Sequence, residues 1–173
     1  LGDVVSRASI RVAGDEMDRA IADYLRRHFS LRIGLATAER LRIDIGSAYP
    51  LNEELSQEVS GIDVFSGLPR KAIITSEQVR EALAETLEAI LEAIRTTLDG
   101  CTPELAADLA ENGMVLCGGA SLLRRMDRYL AERTGLPVRL AAEPSTAVAK
   151  GTLVCLENLD SWRPMLESSD DDL

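Results

Sequence analysis

The chain has 173 residues, a little more than one domain usually needs, with 46% of them hydrophobic and 28% charged. These values are typical of a folded globular protein and exclude a disordered or fibrous chain. The formal net charge is −10. Such an acidic excess repels a phosphate backbone, so we expect no nucleic-acid partner.

The three cysteines, Cys101, Cys117 and Cys155, are too far apart for a metal-binding pair, and the single histidine is His28. We therefore expect no metal site. No segment approaches the ~20 consecutive apolar residues that a membrane-spanning helix needs, and the first residues lack the basic segment followed by an apolar one that is typical of a signal peptide. The sequence predicts a cytoplasmic protein. Because residue 1 is Leu rather than Met, we also expect either that the initial residues were removed or that the chain is a piece of a longer protein.

The first half of the chain mixes strand and helix patterns. Alternating apolar residues predict a strand at the very start, and apolar residues at three- and four-residue steps then predict two helices. Asp15 and Thr37 are candidate caps for those helices. Two further strands are joined by a turn that contains Gly and Pro. In order, the predicted elements are strand 1–12, helix 16–29, helix 36–47, strand 54–65 and strand 70–75.

The second half opens with the longest apolar stripe, which predicts a helix from Ser76 to Gly100. A short helix with Pro103 at its first position follows. The order strand, helix, strand in the next segment predicts a parallel pair of strands and hence an α/β fold. The predicted elements are helix 102–112, strand 114–117, a tight turn at 118–121, helix 122–134, strand 137–141, helix 146–159 and an acidic, disordered tail at 161–173.

Two features could carry chemistry. Gly118 and Gly119 follow a parallel strand, where open α/β sheets place ligands and where bare backbone can approach a base or phosphate. Glu39 and Arg42 lie one helical turn apart, and a carboxylate with a guanidinium suits ribose and a purine. On these residues alone, a tight turn and a surface ion pair are the simpler explanations of the two features.

Several segments, taken in order, resemble the MreB family of bacterial actin-like rod-shape proteins. They are residues 9–18 (SIRVAGDEMD), 37–46 (TAERLRIDIG), 59–63 (VSGID) with 67–71 (GLPRK), 103–105 (PEL), 113–123 (GMVLCGGASLL) and 143–151 (EPSTAVAKG). The resemblance covers residues 1–159 without large gaps and leaves only the acidic tail outside it.

The resemblance implies the second domain of an actin-like ATPase, of ribonuclease H-like fold, with a small inserted αβ subdomain. The larger subdomain would comprise residues 1–30 and 83–160, and the inserted one residues 31–82. The family's phosphate-gripping loop, magnesium site and membrane-inserting element would all precede residue 1. Apolar surface that faces that first half is therefore expected to be exposed in this chain.

The resemblance also implies a set of nucleotide-binding residues. Gly118, Gly119, Ala120 and Ser121 match the family's adenosine turn, and Glu39, Arg40, Leu41 and Arg42 match the helix that holds ribose and adenine. The implied cofactor is ATP, with Mg²⁺ held mainly by the absent half. The family is a slow ATPase, but we expect no hydrolysis and only weak or undetectable ATP binding by this chain alone.

The implied function is that of a cytoskeletal protein whose ATP-dependent filaments direct cell-wall synthesis and maintain rod shape. Its partners would be further copies of itself, wall-elongation proteins such as MreC and RodZ, and the membrane surface through the absent half. It would lie in the cytoplasm at the inner face of the membrane. Two alternatives stay open: half of a sugar- or acetate-kinase-type enzyme on the same fold, and a truncated module that caps filaments.

Overall fold

The computed structural model describes residues 4–167, with side chains described up to residue 163. Seven α-helices, five strands and one 3-10 helix lie within that range. In chain order they are α1 (Gly14–Phe29), β1 (Leu31–Arg32), α2 (Leu35–Ile45), β2 (Ser56–Asp63), β3 (Pro69–Thr75), α3 (Ser76–Asp99), α4 (Pro103–Asn112), β4 (Met114–Leu116), the 3-10 helix (Gly119–Leu122), α5 (Met126–Thr134), β5 (Val138–Leu140), α6 (Ala147–Glu157) and α7 (Leu159–Glu167).

The strands form two small sheets. One is antiparallel in the order β1-β2-β3, and β2 and β3 form a hairpin in which Ser56 pairs with Thr75 and Ile62 with Pro69. The other consists of β4 and β5, which pair in parallel with Met114 opposite Val138. The parallel pair confirms the strand, helix, strand order expected from the sequence.

Helix α3 forms where the sequence pattern is strongest. Thr75 and Gln78 cap its start reciprocally, since the Gln78 amide donates to Thr75 Oγ1 at 3.3 Å and the Thr75 amide donates to Gln78 Oε1 at 3.0 Å. One stripe of α3 is buried, including Val79, Leu83 and Leu87. This stripe belongs to one hydrophobic cluster that also takes residues from α1, α2, α5, β2 and β3. The division into two subdomains stays a prediction.

The structure corrects several element boundaries. The strand predicted over residues 1–12 is wrong for residues 4–12, which form no strand, and residues 1–3 lie outside the described range. Helix α1 follows Ala13 and α2 follows Gly34, so Asp15 and Thr37 lie inside their helices and do not cap them. The last helix is two helices, α6 and α7, so residues 161–167 of the predicted tail are helical. The rest of the predicted tail, residues 168–173, lies outside the described range.

The helix expected over residues 122–134 begins only at Met126. The backbone leaves helical geometry at Leu123 and turns left-handed at Arg125, where φ is 62°. Leu123 is buried in the core and the Arg124 side chain reaches the end of α2, donating to the carbonyl of Ile43 at 2.7 Å. Tertiary contacts have therefore overridden the local helical pattern.

Apolar side chains are exposed on helix α6, none of whose residues is buried. Val148, Leu153, Val154 and Leu156 are each at least half exposed. Exposed apolar surface was expected from the resemblance, and we expect it to promote self-association. None of the described helices is both long enough and apolar enough to cross a membrane.

A polar network joins the start of α3 to the segments before it. Arg80 bonds to Glu54 Oε1 at 2.7 Å and to the hydroxyl of the fully buried Ser47 at 2.8 Å. The hydroxyl of Ser76 donates to the other Glu54 oxygen and accepts from the Leu55 amide at 2.8 Å. The Arg80 and Ser76 hydrogen bonds lower the pKa of Glu54 below its ordinary value of 4.5.

This network predicts a specific loss of stability in acid. Because the folded-state pKa of Glu54 is lowered, its stabilising contribution is present above pH 4.5 and is lost as the pH falls through the folded value. We expect Glu54→Gln to flatten the acidic limb of a plot of unfolding free energy against pH, measured by urea denaturation. Glu104→Gln, an exposed change on α4, should leave that limb unchanged, and equal slopes for both variants would contradict the prediction.

Candidate nucleoside site

A cavity of about 440 Å³ lies between α2, the start of α1 and the 3-10 helix. Its wall combines bare backbone, apolar side chains, two carboxylates and one guanidinium. The residues that line it are Gly14, Asp15, Glu39, Arg42, Ile43, Gly119, Ala120, Leu122 and Leu123. A cavity of this size is in the range of small-molecule sites.

Helix α2 supplies the charged wall. The Glu39 side chain is 54% exposed, so its carboxylate is available to a ligand. The Arg42 side chain is only 11% exposed, and Asp18 of α1 holds it in place. Arg42 Nε donates to Asp18 Oδ1 at 2.7 Å and Nη2 donates to Oδ2 at 3.3 Å. Arg42 Nη2 also lies 3.9 Å from Glu39 Oε1.

The 3-10 helix supplies the opposite wall. Gly118 precedes it with φ at 84°, a conformation that favours glycine, and its amide donates to the Pro144 carbonyl at 2.7 Å. The buried Ser121 hydroxyl donates back to the Gly118 carbonyl at 2.7 Å. At Gly119 no described atom lies within 4 Å of the position a Cβ would take. Two hydrogen bonds thus hold the turn, and there is open space above its bare backbone.

Arg124 joins the two walls. Its Nη1 donates to the carbonyl of Ile43 at 2.7 Å, and its own carbonyl accepts from the Ala48 amide at 2.8 Å. The first of these bonds satisfies the Ile43 carbonyl, one of the last four of α2, which lack partners within the helix. Arg124 therefore fixes α2 relative to the segment that follows the 3-10 helix.

The structure brings together half of the residues predicted to bind nucleotide. Glu39, Arg42, Gly119 and Ala120 line the cavity, whereas Gly118 and Ser121 shape the turn without lining it. Arg40 is exposed and does not line the cavity. Leu41 is 0% exposed and belongs to the hydrophobic cluster, so its side chain has a packing position.

Sequence reasoning missed several lining residues: Gly14, Asp15, Ile43, Leu122 and Leu123. It also missed Asp18, the partner of Arg42. A signal for Asp18 existed, because it shares an i, i+3, i+7 stripe with the buried Ile21 and Leu25. An acid on an apolar stripe predicts a buried cationic partner.

These groups match the chemistry of a nucleoside. An exposed carboxylate can accept two hydrogen bonds from a diol, and a guanidinium with neighbouring apolar groups can cover a planar ring. Within residues 4–167 there is no group of three His, Cys, Asp or Glu side chains that could hold a metal ion.

Comparison with known proteins gives a consistent family. The family model for the MreB/Mbl protein matches residues 1–164. The cell shape-determining protein MreB of Escherichia coli K12 is 47% identical over 160 residues, which is 92% of this chain and 46% of that protein. The cell shape-determining protein Mbl of Bacillus subtilis 168 is 40% identical over 162 residues, 92% of this chain and 48% of that protein. The chain thus spans about half the length of these curated relatives.

Solved structures agree with the fold. MreB5 of Spiroplasma citri bound to ADP superposes with a TM-score of 0.88 at 35% identity, covering 91% of this chain and 48% of that one. The double helical filament of MamK gives a TM-score of 0.67 at 24% identity, covering 80% and 42%. These neighbours confirm the actin-like α/β fold, and the family match extends over nearly the whole sequence. The chain therefore belongs to the MreB/Mbl family.

Proposed function

We propose that this chain forms the adenosine side of the nucleotide site of an actin-like protein that determines cell shape. The observation that carries the proposal is the cavity into which Glu39, Arg42, Gly119 and Ala120 converge from two separate segments. Support also comes from the S. citri relative, whose structures contain ADP in one case and AMPPNP in the other.

The proposed contacts follow from the chemistry of each group. Glu39 accepts hydrogen bonds from the ribose hydroxyls, as carboxylates do in other nucleotide sites. Arg42 lies against the purine ring. The backbone at Gly119 and Ala120 lies against the other part of the ring, where the absence of a side chain at Gly119 permits close approach. Arg40 and Leu41 have no direct contact in this proposal, and Gly118 and Ser121 act by shaping the turn.

The wider role rests on the family. We propose that the protein takes part in ATP-dependent, membrane-associated filaments that direct cell-wall synthesis and maintain rod shape. Its partners are then further copies of itself and wall-elongation proteins such as MreC and RodZ, at the cytoplasmic face of the membrane. The names of the curated relatives support a role in cell shape, and the MamK neighbour was solved as a filament.

Titration by NMR tests the nucleoside assignment. We expect adenosine to shift the amide signals of Glu39, Gly119 and Ala120 with a dissociation constant on the order of 1 mM. ATP should bind no more than a few times more tightly than adenosine, because the described cavity has a single guanidinium and two carboxylates beside it. If adenosine shifted none of these three amide signals, the proposal would be contradicted.

A matched pair of variants isolates the ribose contact. Glu39→Gln should weaken adenosine binding on the order of tenfold and remove the preference for adenosine over 2′,3′-dideoxyadenosine, because a charged acceptor is lost. Glu85→Gln makes the same change on the exposed side of α3 and should leave both properties unchanged. An unaltered preference in Glu39→Gln would rule out Glu39 as the ribose acceptor.

A further inference from the structure

Asp18 is a buried carboxylate next to the cavity, and it does not itself line the cavity. Residue Asp18 is 6% exposed and faces the core from α1. The hydrogen bonds that its carboxylate accepts from described residues both come from Arg42. A buried charge is costly without a partner, so the two side chains must be considered together.

The pair fixes one edge of the guanidinium. Asp18 engages Nε and Nη2 at 2.7 and 3.3 Å, which is the two-bond arrangement of a planar fork with a carboxylate. Gly14 borders the same edge, since a Cβ built on it would lie 3.4 Å from Arg42 Nη2. Within residues 4–167, Nη1 makes no hydrogen bond. The group is thus left with its planar face and Nη1 for a ligand.

We infer that Asp18 is a positioning residue for the nucleoside site. Asp18 occupies the edge of the Arg42 guanidinium that carries Nε and Nη2, so the guanidinium contacts a ligand with its planar face and not with that edge. The inference rests on the proposed function. A guanidinium whose fork is already occupied is poorly suited to grip a phosphate bidentately, but its face remains suited to an aromatic ring. The group that Arg42 contacts is therefore the base.

Glu39 explains why such positioning is needed. Its carboxylate lies 3.9 Å from Arg42 Nη2 and is far more exposed than that of Asp18. Without Asp18, Arg42 has Glu39 as the nearest remaining carboxylate, and a closer pair would occupy both groups that the nucleoside requires. Asp18 thus keeps Arg42 and Glu39 separately available.

A double-mutant cycle on the 173-residue chain tests this, with adenosine as the probe and NMR titration as the measurement. We expect Asp18→Asn to weaken adenosine binding on the order of fivefold, and Arg42→Gln to weaken it at least as much. If Asp18 acts through Arg42, then adding Asp18→Asn to Arg42→Gln causes no further loss. If Asp18→Asn weakened adenosine binding equally in the unmodified chain and in Arg42→Gln, Asp18 would have only a structural role and the inference would be overturned.

A second measurement needs no ligand, and its first comparison needs no variant. Hydrogen exchange at Arg42 Nε–H should be much slower than at Nε–H of Arg40, an exposed arginine on the same helix, and should become fast in Asp18→Asn. Equal exchange rates for the two arginines in the unmodified chain would overturn the inference even if Asp18→Asn fails to fold. Asp23→Asn, which breaks the exposed pair with Arg26 on α1, serves as the matched control and should change neither exchange at Arg42 nor affinity.

The two proposals fail in different ways. If the unmodified chain does not bind adenosine, the proposed function is wrong, while the exchange measurement still decides whether Asp18 fixes the guanidinium. If adenosine binds and Asp18→Asn binds it equally well, the proposed function stands and the role of Asp18 is wrong.

Discussion

Leu41→Ala is expected to lower the free energy of unfolding by about 2–5 kcal/mol, because it removes a fully buried side chain and leaves a cavity in the core. In a chain of this size the loss corresponds to a fall of about 4–20 °C in the melting temperature. Circular dichroism during urea and thermal denaturation measures both. In the fraction that stays folded, adenosine affinity should be unchanged, since the Leu41 side chain does not line the cavity.

Leu35→Ala is the matched control, because Leu35 begins the same helix and is 51% exposed. It should change the free energy of unfolding by less than about 0.5 kcal/mol. If the two variants were equally stable, Leu41 would not be the core residue that its burial indicates. If Leu41→Ala were stable but lost adenosine binding, a direct ligand role for Leu41 would be restored.

Gly113→Ala is expected to cost about 3–5 kcal/mol, for two independent reasons. Gly113 has φ at 70° and ψ at −165°, a region that side chains rarely enter. A Cβ there would also lie 2.2 Å from the Pro137 carbonyl oxygen. That oxygen accepts the Met114 amide at 2.8 Å, so the added methyl would force β4 and β5 apart. Urea denaturation measures the loss.

Two further glycines separate the cost of the positive φ from the cost of the contact with Pro137. Gly67 has φ at 72° but open space around its Cβ position, so Gly67→Ala should show the backbone cost alone, about 1 kcal/mol. Gly151 lies inside α6 with open space and no unusual φ, and Gly151→Ala should be neutral or stabilising by up to about 1 kcal/mol. Equal effects at Gly113 and Gly67 would show that the contact with Pro137 adds nothing.

The sequence was most informative where local pattern and tertiary packing agree. The stripe of Val79, Leu83 and Leu87 predicted α3, and the same residues are buried in the core. The β2–β3 hairpin was predicted because its strands flank a turn containing Gly67 and Pro69. The pairing of β4 with β5 followed from the order of elements, since a strand, a helix and a second strand favour parallel pairing.

Prediction failed where a distant contact decides the backbone. The pattern of residues 122–134 is helical throughout, but the bond from Arg124 to Ile43 and the burial of Leu123 delay the helix. Residues 4–12 alternate as a strand would but form no strand, because period-two alternation does not specify a neighbouring strand. The two-residue β1 is too short to leave any pattern.

The candidate site was predictable only in part. The resemblance pointed to Glu39, Arg42, Gly119 and Ala120, and the structure brings these four to one cavity. The resemblance could not distinguish Glu39 and Arg42 from their neighbours on the same helix, Arg40 and Leu41. Successive residues of a helix point about 100° apart, so only some of the four side chains reach the cavity. Asp18 was missed because its partner lies 24 residues away in the chain.

The bond between Arg124 and Ile43 spans 81 residues of sequence and makes the last turn of α2 dependent on the segment beyond the glycine pair. Any motion that moves the two walls of the cavity apart must break this bond together with the bond from the Ala48 amide to the Arg124 carbonyl. The Ala48 amide should therefore take up solvent deuterium in step with the opening of the cavity.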